Sequence, residues 1–130
     1  MPEEAIAVLL IEDNPNDARV LQEMLNQAKG TQFKVEHSDC LSVGLKRLEK
    51  GGIKAILLDL FLPESKGIQT LIKVQAKAAG APIVILSALD DEVTNVQAVK
   101  KGAQDYLVKS CLNTELLTRS IRYAIERKQL

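Results

Sequence analysis

Five short apolar runs alternate along the chain with longer segments in which apolar residues recur every three or four positions. Residues 5–11, 55–58 and 83–86 are continuously apolar, which is typical of strands covered on both faces of a parallel sheet. Residues 33–37 alternate apolar and polar positions, as expected for a strand nearer an edge, and residues 106–108 form a weaker fifth run. The pattern therefore predicts five strands.

The segments between these runs have the period of amphipathic helices. Pro15 suits the first turn of a helix, and Gly30 ends the apolar stripe that follows it. A last helix is predicted from residue 113 onward without a Gly, Asn or Pro signal to end it, so the chain could be one piece of a longer protein. The residues predicted to form the five helix stripes are Ala18, Leu21, Leu25 and Ala28; Leu41, Gly44, Leu45 and Leu48; Ile68, Leu71, Ile72 and Gln75; Val93, Val96 and Val99; and Leu117, Ile121, Ala124, Ile125 and Lys128.

Strands separated by helices favour right-handed crossovers, which build a parallel sheet with helices on both faces. We therefore predict an α/β fold with a five-stranded, doubly wound parallel sheet. The chain has 130 residues, 46% of them apolar, and contains no Pro-, Gly- or Ser-rich linker. Because this length suits one core, residues 1–130 are predicted to form a single domain.

Charge and composition exclude several classes of function. Lys and Arg number 17, as do Asp and Glu, so no net positive field favours direct binding to nucleic acid or to an anionic membrane. The apolar runs are far shorter than the ~20 residues of a membrane span, and the acidic N-terminus is unlike a secretory signal. A cytoplasmic location is therefore expected. Two distant cysteines and one histidine predict neither a disulfide framework nor a zinc site.

Polar residues follow four of the five predicted strands. Glu12 and Asp13 follow the first, Asp59 the third, Ser87 the fourth and Lys109 the fifth. Ligands of open α/β sheets bind beyond the carboxyl ends of the strands, so these side chains are expected at one edge. Singly, Ser87 or Asp13 could be a helix cap, but together the residues predict a site.

The predicted site suits phosphate chemistry. Three carboxylates repel one another unless a cation lies among them, and Mg²⁺ prefers such oxygen ligands. Lys109 and Ser87 could then bind oxygens of a phosphoryl group. The chain lacks the glycine-rich loop ending in Gly-Lys-Ser/Thr, so an NTPase is not indicated. A carboxylate is the plausible acceptor of a phosphoryl group that another molecule delivers.

These residues resemble the receiver domain of two-component response regulators over essentially the whole chain. The resemblance rests on the acidic pair 12–13, the segment 58–63 with Gly67 after it, the Ser-Ala pair 87–88 and the segment 105–109. It implies a flavodoxin-like fold with strand order 2-1-3-4-5. It also implies a signalling switch that accepts its phosphoryl group from a sensor histidine kinase or a phosphotransfer protein.

The resemblance further implies roles for the acidic residues. Asp59 would be the phosphoacceptor, and Asp13, Asp59 and the carbonyl of Phe61 would bind Mg²⁺ while Glu12 holds a metal-bound water. The chain would then not be an enzyme beyond its own phosphorylation and a slow autodephosphorylation. Phe61 and Leu89 are expected to slow this loss, since neither side chain can orient the attacking water.

Ser87 and Lys109 would bind phosphoryl oxygens, and Ser87 and Tyr106 would act as the switch. The resemblance implies that the signal leaves through the surface of the fourth helix, fifth strand and fifth helix, toward an output domain or a second copy of the chain. Most receivers have proline after the lysine, joined by a cis peptide bond, whereas this chain has Ser110. A cis bond before a non-proline residue costs ~3 kcal/mol, so the loop must store that strain or be trans.

Two other functions stay open at this point. One is a protein-binding module of the same fold that is not phosphorylated, because the Ser110 loop misdirects Lys109. The other is a metal-dependent phosphatase with an aspartyl nucleophile, but that class places a second aspartate where this chain has Phe61.

Overall fold

The five predicted strands form one parallel sheet in the structure, a computed structural model that describes residues 5–88 and 91–129. Numbering the sheet strands in chain order, their spatial order is β2-β1-β3-β4-β5, which confirms the predicted fold. The strands are β1 (Ile6–Ile11), β2 (Phe33–Ser38), β3 (Ala55–Asp59), β4 (Ile83–Ser87) and β5 (Asp105–Val108). The helices are α1 (Pro15–Asn26), α2 (Leu41–Glu49), α3 (Ile68–Lys77), α4 (Glu92–Lys100) and α5 (Thr114–Gln129).

The central strands bury both of their faces, as their continuous apolar sequence predicts. Alternate residues of β1, β3 and β4 contribute to two separate cores, one on each side of the sheet. Ala55 and Leu57 of β3 face the core built with α1 and α5, and Ile56 and Leu58 face the core built with α2, α3 and α4. Each side chain that ends a strand is thereby directed toward one helix layer or the other.

The start of α1 follows the sequence signals. Asn14 is the N-cap, and its side chain accepts a hydrogen bond from the Asp17 amide at 3.0 Å. Pro15 occupies the first helical turn, where a missing N–H leaves no hydrogen bond unmade. The helix therefore begins immediately after the acidic pair Glu12 and Asp13, which fixes that pair at the edge of the sheet.

The prediction for the fourth helix stripe was wrong. Val93, Val96 and Val99 are 73%, 39% and 39% exposed, whereas Asn95 and Ala98 are buried. Small buried side chains allow the helix backbone to approach the sheet closely, and the valines then point outward. Ile72, predicted for the third stripe, is likewise 52% exposed.

No helix in the described part of the chain combines the length and apolar character needed to span a membrane.

Candidate functional site

The sheet register brings the first acidic residue beside the third strand's aspartate. Ile11 of β1 pairs with Leu58 of β3. Glu12 and Asp59 come next on these two neighbouring strands, so they lie side by side at the carboxyl edge. Asp13, one residue farther, is exposed at the same edge. The structure thus brings together the three carboxylates that the sequence placed after the first and third strands.

The three carboxylates could hold a metal ion. One oxygen each from Glu12, Asp13 and Asp59 lies within 4.8 Å of the other two. Two of these residues are buried and Asp13 is exposed, so the cluster opens to solvent on one side. Hard carboxylate oxygens with room for water are the donor set that Mg²⁺ prefers. The residues present therefore fit Mg²⁺.

The Lys109 ammonium lies among these carboxylates. It donates to Asp59 Oδ2 at 2.9 Å and pairs with Glu12 Oε1, although the second contact lacks well-directed hydrogen-bond geometry. Burial acts to lower the pKa of Lys109, but its contacts with Glu12 and Asp59 outweigh that effect and raise the pKa above its ordinary value. The lysine therefore stays charged and offsets part of the negative charge.

Glu12 is the most perturbed acid of the cluster. Burial raises the pKa of Glu12 to about 7, because the carboxylate has lost its water, and neighbouring Asp59 adds to the rise while Lys109 opposes it. Its side chain has no solvent exposure. The backbone amide of Asn14 donates to its other oxygen at 3.3 Å. Glu12 is thus a buried acid whose charge depends on what lies beside it.

Asp17 is a site residue that the sequence reasoning missed. It lies in the first turn of α1, and its Oδ2 accepts a hydrogen bond from Lys109 Nζ at 3.0 Å. Lys109 continues the alternation of buried Leu107, which faces the α1–α5 core, so its side chain extends toward α1. No motif marks this contact, since it joins residues 92 positions apart.

The loop after Asp59 is fixed by its own hydrogen bonds. The Phe61 amide donates to Asp59 Oδ1 at 2.8 Å, so both carboxylate oxygens have a donor. The buried hydroxyl of Thr70 donates to the Leu60 carbonyl at 3.0 Å. Gly67, at a φ of 70°, allows the turn from the short hairpin 61–66 into α3. The sequence indicated Gly67 but gave no sign of Thr70.

A second tertiary contact ties this loop to α2. The N-cap Cys40 makes no side-chain cap hydrogen bond. Instead the Glu64 carboxylate accepts hydrogen bonds from the amides of Leu41 and Ser42 at the first turn of the helix. A negative group there also complements the helix dipole. The segment that follows Asp59 is thereby anchored at its far end.

Ser87 and Tyr106 lie on the other side of the sheet edge. Ser87 is buried, and its hydroxyl accepts a hydrogen bond from the side-chain amide of Asn95 in α4 at 2.8 Å. Tyr106 is half-buried and packs against the core of α2, α3 and α4. Asn95 was not singled out from the sequence, because a lone polar residue in a helix carries no signal.

The turn after β5 contains the peptide bond between Lys109 and Ser110, where most receivers have a cis bond to proline. All peptide bonds between described residues are trans, so the Lys109–Ser110 bond stores no cis strain. Residues 109–111 form a single 3₁₀ turn, and Ser110 is exposed. Lys109 nevertheless reaches Asp59, so a serine at this position does not misdirect the lysine.

Comparison with known proteins agrees with this fold. The sequence matches the family described as response regulator receiver domain over residues 8–121. It is 32% identical over 120 residues to the uncharacterized transcriptional regulatory protein YkoG of Bacillus subtilis, covering 92% of this chain and 51% of that protein. It is 34% identical over 112 residues to the cell cycle transcriptional regulator CtrA of Caulobacter vibrioides, covering 86% and 47%. The chain spans about half the length of these relatives.

Solved structures share the fold at lower sequence identity. A putative response regulator from Chloroflexus aurantiacus superposes with a TM-score of 0.81 at 22% identity, covering 95% of this chain and 99% of that one. A CheY-like receiver domain protein from Methanospirillum hungatei gives 0.80 at 20% identity, covering 97% and 98%. The family match extends over most of the sheet and helices. The chain therefore belongs to the family of response regulator receiver domains.

Proposed function

We propose that the chain is a phosphorylation-dependent switch in which Asp59 accepts a phosphoryl group from a histidine kinase or a phosphotransfer protein. One observation carries this proposal: Asp59 lies beside both the Lys109 ammonium and the acidic pair, and both of its oxygens are held by donors. A carboxylate fixed in this way beside a cation is oriented for attack. Residues 1–130 are proposed to act as one receiver domain.

The transfer balances without a further reactant. An oxygen of Asp59 forms a bond to phosphorus while the bond from phosphorus to the donor's imidazole nitrogen breaks. The imidazole carries a proton on its other nitrogen, so it leaves as the neutral base with the bonding pair. Lys109 and Ser87 would bind oxygens of the transferred group. Asp13, Asp59 and the Phe61 carbonyl would hold Mg²⁺ while Glu12 holds a metal-bound water, and the ion when bound supplies positive charge beside the phosphoryl group.

The proposed output is a change of the surface formed by α4, β5 and α5. Ser87 and Tyr106, which contact the α4 side of the sheet, are the proposed switch residues. The partner would be an output domain or a second copy of the chain, since the relatives are about twice as long as the matched region. Cytoplasmic location remains a prediction from sequence.

The alternative, a binding module that is not phosphorylated, depended on a misdirected Lys109. The ion pair between Lys109 and Asp59 removes that argument. The test is to incubate the wild-type chain with Mg²⁺ and acetyl phosphate or phosphoramidate and to record its intact mass. We expect a mass increase of one phosphoryl group, and no increase when EDTA is present during the incubation. No increase with either donor would favour the binding module.

Magnesium is expected to stabilise the folded chain before any phosphorylation. A cation that binds the assembled carboxylates but not the unfolded chain raises stability by mass action. The thermal midpoint should rise with millimolar Mg²⁺, and less so in Asp13→Ala. Asp39→Ala, which removes an exposed carboxylate that follows β2, is the matched control and should respond like the wild type. Equal midpoints with and without Mg²⁺ would contradict the metal site.

Replacing Phe61 is expected to shorten the lifetime of the phosphorylated chain. Phe61 is 44% exposed two residues after Asp59, and its ring cannot hydrogen-bond an attacking water. Leu89, the other residue expected to slow hydrolysis, lies outside the described residues. Phe61→Asn should speed the loss of phosphate by roughly three- to ten-fold, the effect of one oriented hydrogen bond of about 1 kcal/mol.

The decay is measured by timed intact mass at fixed Mg²⁺. Ile72→Asn is the control, because Ile72 is comparably exposed but lies on α3. Equal half-lives for Phe61→Asn and the wild type would remove this account of the slow decay.

A further inference from the structure

Helix α4 buries a polar residue at a position where an apolar side chain would leave no hydrogen-bonding group unpaired. Asn95 is 2% exposed, and its side-chain nitrogen donates to Ser87 Oγ at 2.8 Å. Its side-chain oxygen has no hydrogen-bond partner among the described residues. A buried amide with one unpaired end lowers stability. Packing therefore does not explain Asn95, and its contact with Ser87 needs a different reason.

The side chain of Ser87 belongs to the α4 side of the sheet. Ile83 and Ile85, which precede it at alternate positions of β4, face the core of α2, α3 and α4. Besides accepting from Asn95, the Ser87 hydroxyl points its proton at the Leu107 carbonyl, at a long distance of 3.5 Å. A serine hydroxyl has one proton. It cannot donate to this carbonyl and to a phosphoryl oxygen at once. Asp59 pairs with Leu86, which faces the α1–α5 core, so Asp59 and Ser87 extend from opposite faces of the sheet. To reach a phosphoryl group on Asp59, the Ser87 oxygen itself must therefore turn away from α4.

We infer that Asn95 is a positioning residue that holds the Ser87 hydroxyl toward α4 in the unphosphorylated chain and so couples α4 to the state of Asp59. This inference rests on the proposed function. When the Ser87 side chain turns to the phosphoryl group, the Asn95 side-chain amide loses its hydrogen bond to the Ser87 hydroxyl. A buried amide with both ends unpaired is costly, so α4 moves or loosens to satisfy it.

The coupling has a direct consequence for the exposed face of the same helix. Val93, Val96 and Val99 are exposed on α4, whereas Asn95 and Ala98 of the same helix are buried. Any displacement of α4 that follows the release of Asn95 moves this valine face with it. The hydrogen bond between Asn95 and Ser87 thus connects the buried site to a surface that a partner can contact.

The test compares the affinity of variants for beryllofluoride, which occupies the position of a phosphoryl group on a carboxylate. The dissociation constant is measured by calorimetry with Mg²⁺ present. Asn95→Leu removes the hydrogen bond only from the unmodified state, so it should bind beryllofluoride about two- to ten-fold more tightly than the wild type, the effect of one net hydrogen bond. Asn95→Ala removes the same bond with a good helix former and serves if the leucine variant does not fold.

Two controls separate positioning from a general effect on stability. Gln97→Leu makes the same kind of exchange at an exposed position of α4 and should bind like the wild type. In a Ser87→Ala background, Asn95→Leu should change the affinity little, because the contact it removes is already absent. An equal gain in both backgrounds would overturn the inference.

The outcomes also separate this inference from the proposed function. If the wild type and both Asn95 variants bind beryllofluoride equally tightly, the inference is wrong and the proposed function stands. If the wild type neither binds beryllofluoride nor gains a phosphoryl group, the proposed function fails and the inference fails with it.

Discussion

Asp59→Asn is expected to abolish the mass increase that acetyl phosphate produces in the presence of Mg²⁺. The substitution keeps the shape of the side chain, and the remaining oxygen can still accept from the Phe61 amide. It removes the negative charge and the nucleophilic oxygen that pair with Lys109. The variant should therefore fold but carry no phosphoryl group, a complete loss rather than a reduced rate.

Asp39→Asn is the matched control for this experiment. Asp39 is an exposed carboxylate that follows β2 at the same edge of the sheet, and it is absent from the acidic cluster. It should be phosphorylated like the wild type. An undiminished mass increase in Asp59→Asn would mean that another group accepts the phosphoryl, and full labelling of the wild type in EDTA would contradict the role of the metal.

The metal-free chain is expected to lose stability as pH rises from about 4.5 to about 7. The folded chain keeps the proton of Glu12 up to about pH 7, because burial raises the pKa of Glu12 to about 7 from its ordinary value of 4.5. The unfolded chain loses that proton near pH 4.5. Between these values the folded state binds more protons, so the free energy of unfolding falls as pH rises. The full loss is about 3 kcal/mol at roughly 1.4 kcal/mol per pH unit.

Glu12→Gln should remove this pH dependence, since glutamine does not titrate. Urea unfolding in EDTA, repeated across this pH range, measures the effect. Glu23→Gln, at an exposed position of α1, is the control and should keep the slope of the wild type. The ion pair with Arg47 lowers the pKa of Glu36. Glu36 therefore changes the stability only below pH 4.5, outside the range of this experiment. A wild-type stability that is flat across the range would contradict a raised pKa for Glu12.

The hydrophobic pattern predicted the sheet because the burial of a strand determines which of its positions are apolar. Residues 55–58 and 83–86 are continuously apolar since both faces of these strands are covered, and both runs lie within β3 and β4. The edge strand β2 shows the alternation at its start, with Phe33 buried and Lys34 exposed, but not at its end, where His37 is exposed and Ser38 is buried. The strand order came from the resemblance to receivers, since the apolar pattern alone does not specify which strands pair.

The helices show where the same reasoning stops. In α1, one stripe of large residues is the buried face, and Leu21 and Leu25 lie in the core as predicted. In α4, the three valines form one possible buried stripe and Asn95 and Ala98 form another. The stripe of Asn95 and Ala98 is the one that is buried. The three-to-four-residue spacing identifies the candidate stripes. How closely the helix packs on the sheet decides which stripe faces inward.

The candidate site also has residues that the sequence predicts and contacts that it does not. The sequence by itself determined that Glu12, Asp13, Asp59, Ser87 and Lys109 follow strands, and parallel strands must bring their carboxyl ends to one edge. Their chemical roles remain proposals. Some of the contacts that orient these side chains, or that anchor the loop after Asp59, come from residues without any motif. They are Asp17 on Lys109, Asn95 on Ser87 and Glu64 at the start of α2.

Only the tertiary structure could decide these contacts, because each joins two different elements that become adjacent only after the helices have packed. Residues 12 and 13 carry their information locally, in the strand before them and the helix after them. The partner of Lys109 depends instead on how α1 lies across the sheet, and the burial of Glu12 depends on everything packed around it. Its raised pKa is a property of that packing, which no local pattern of residues encodes.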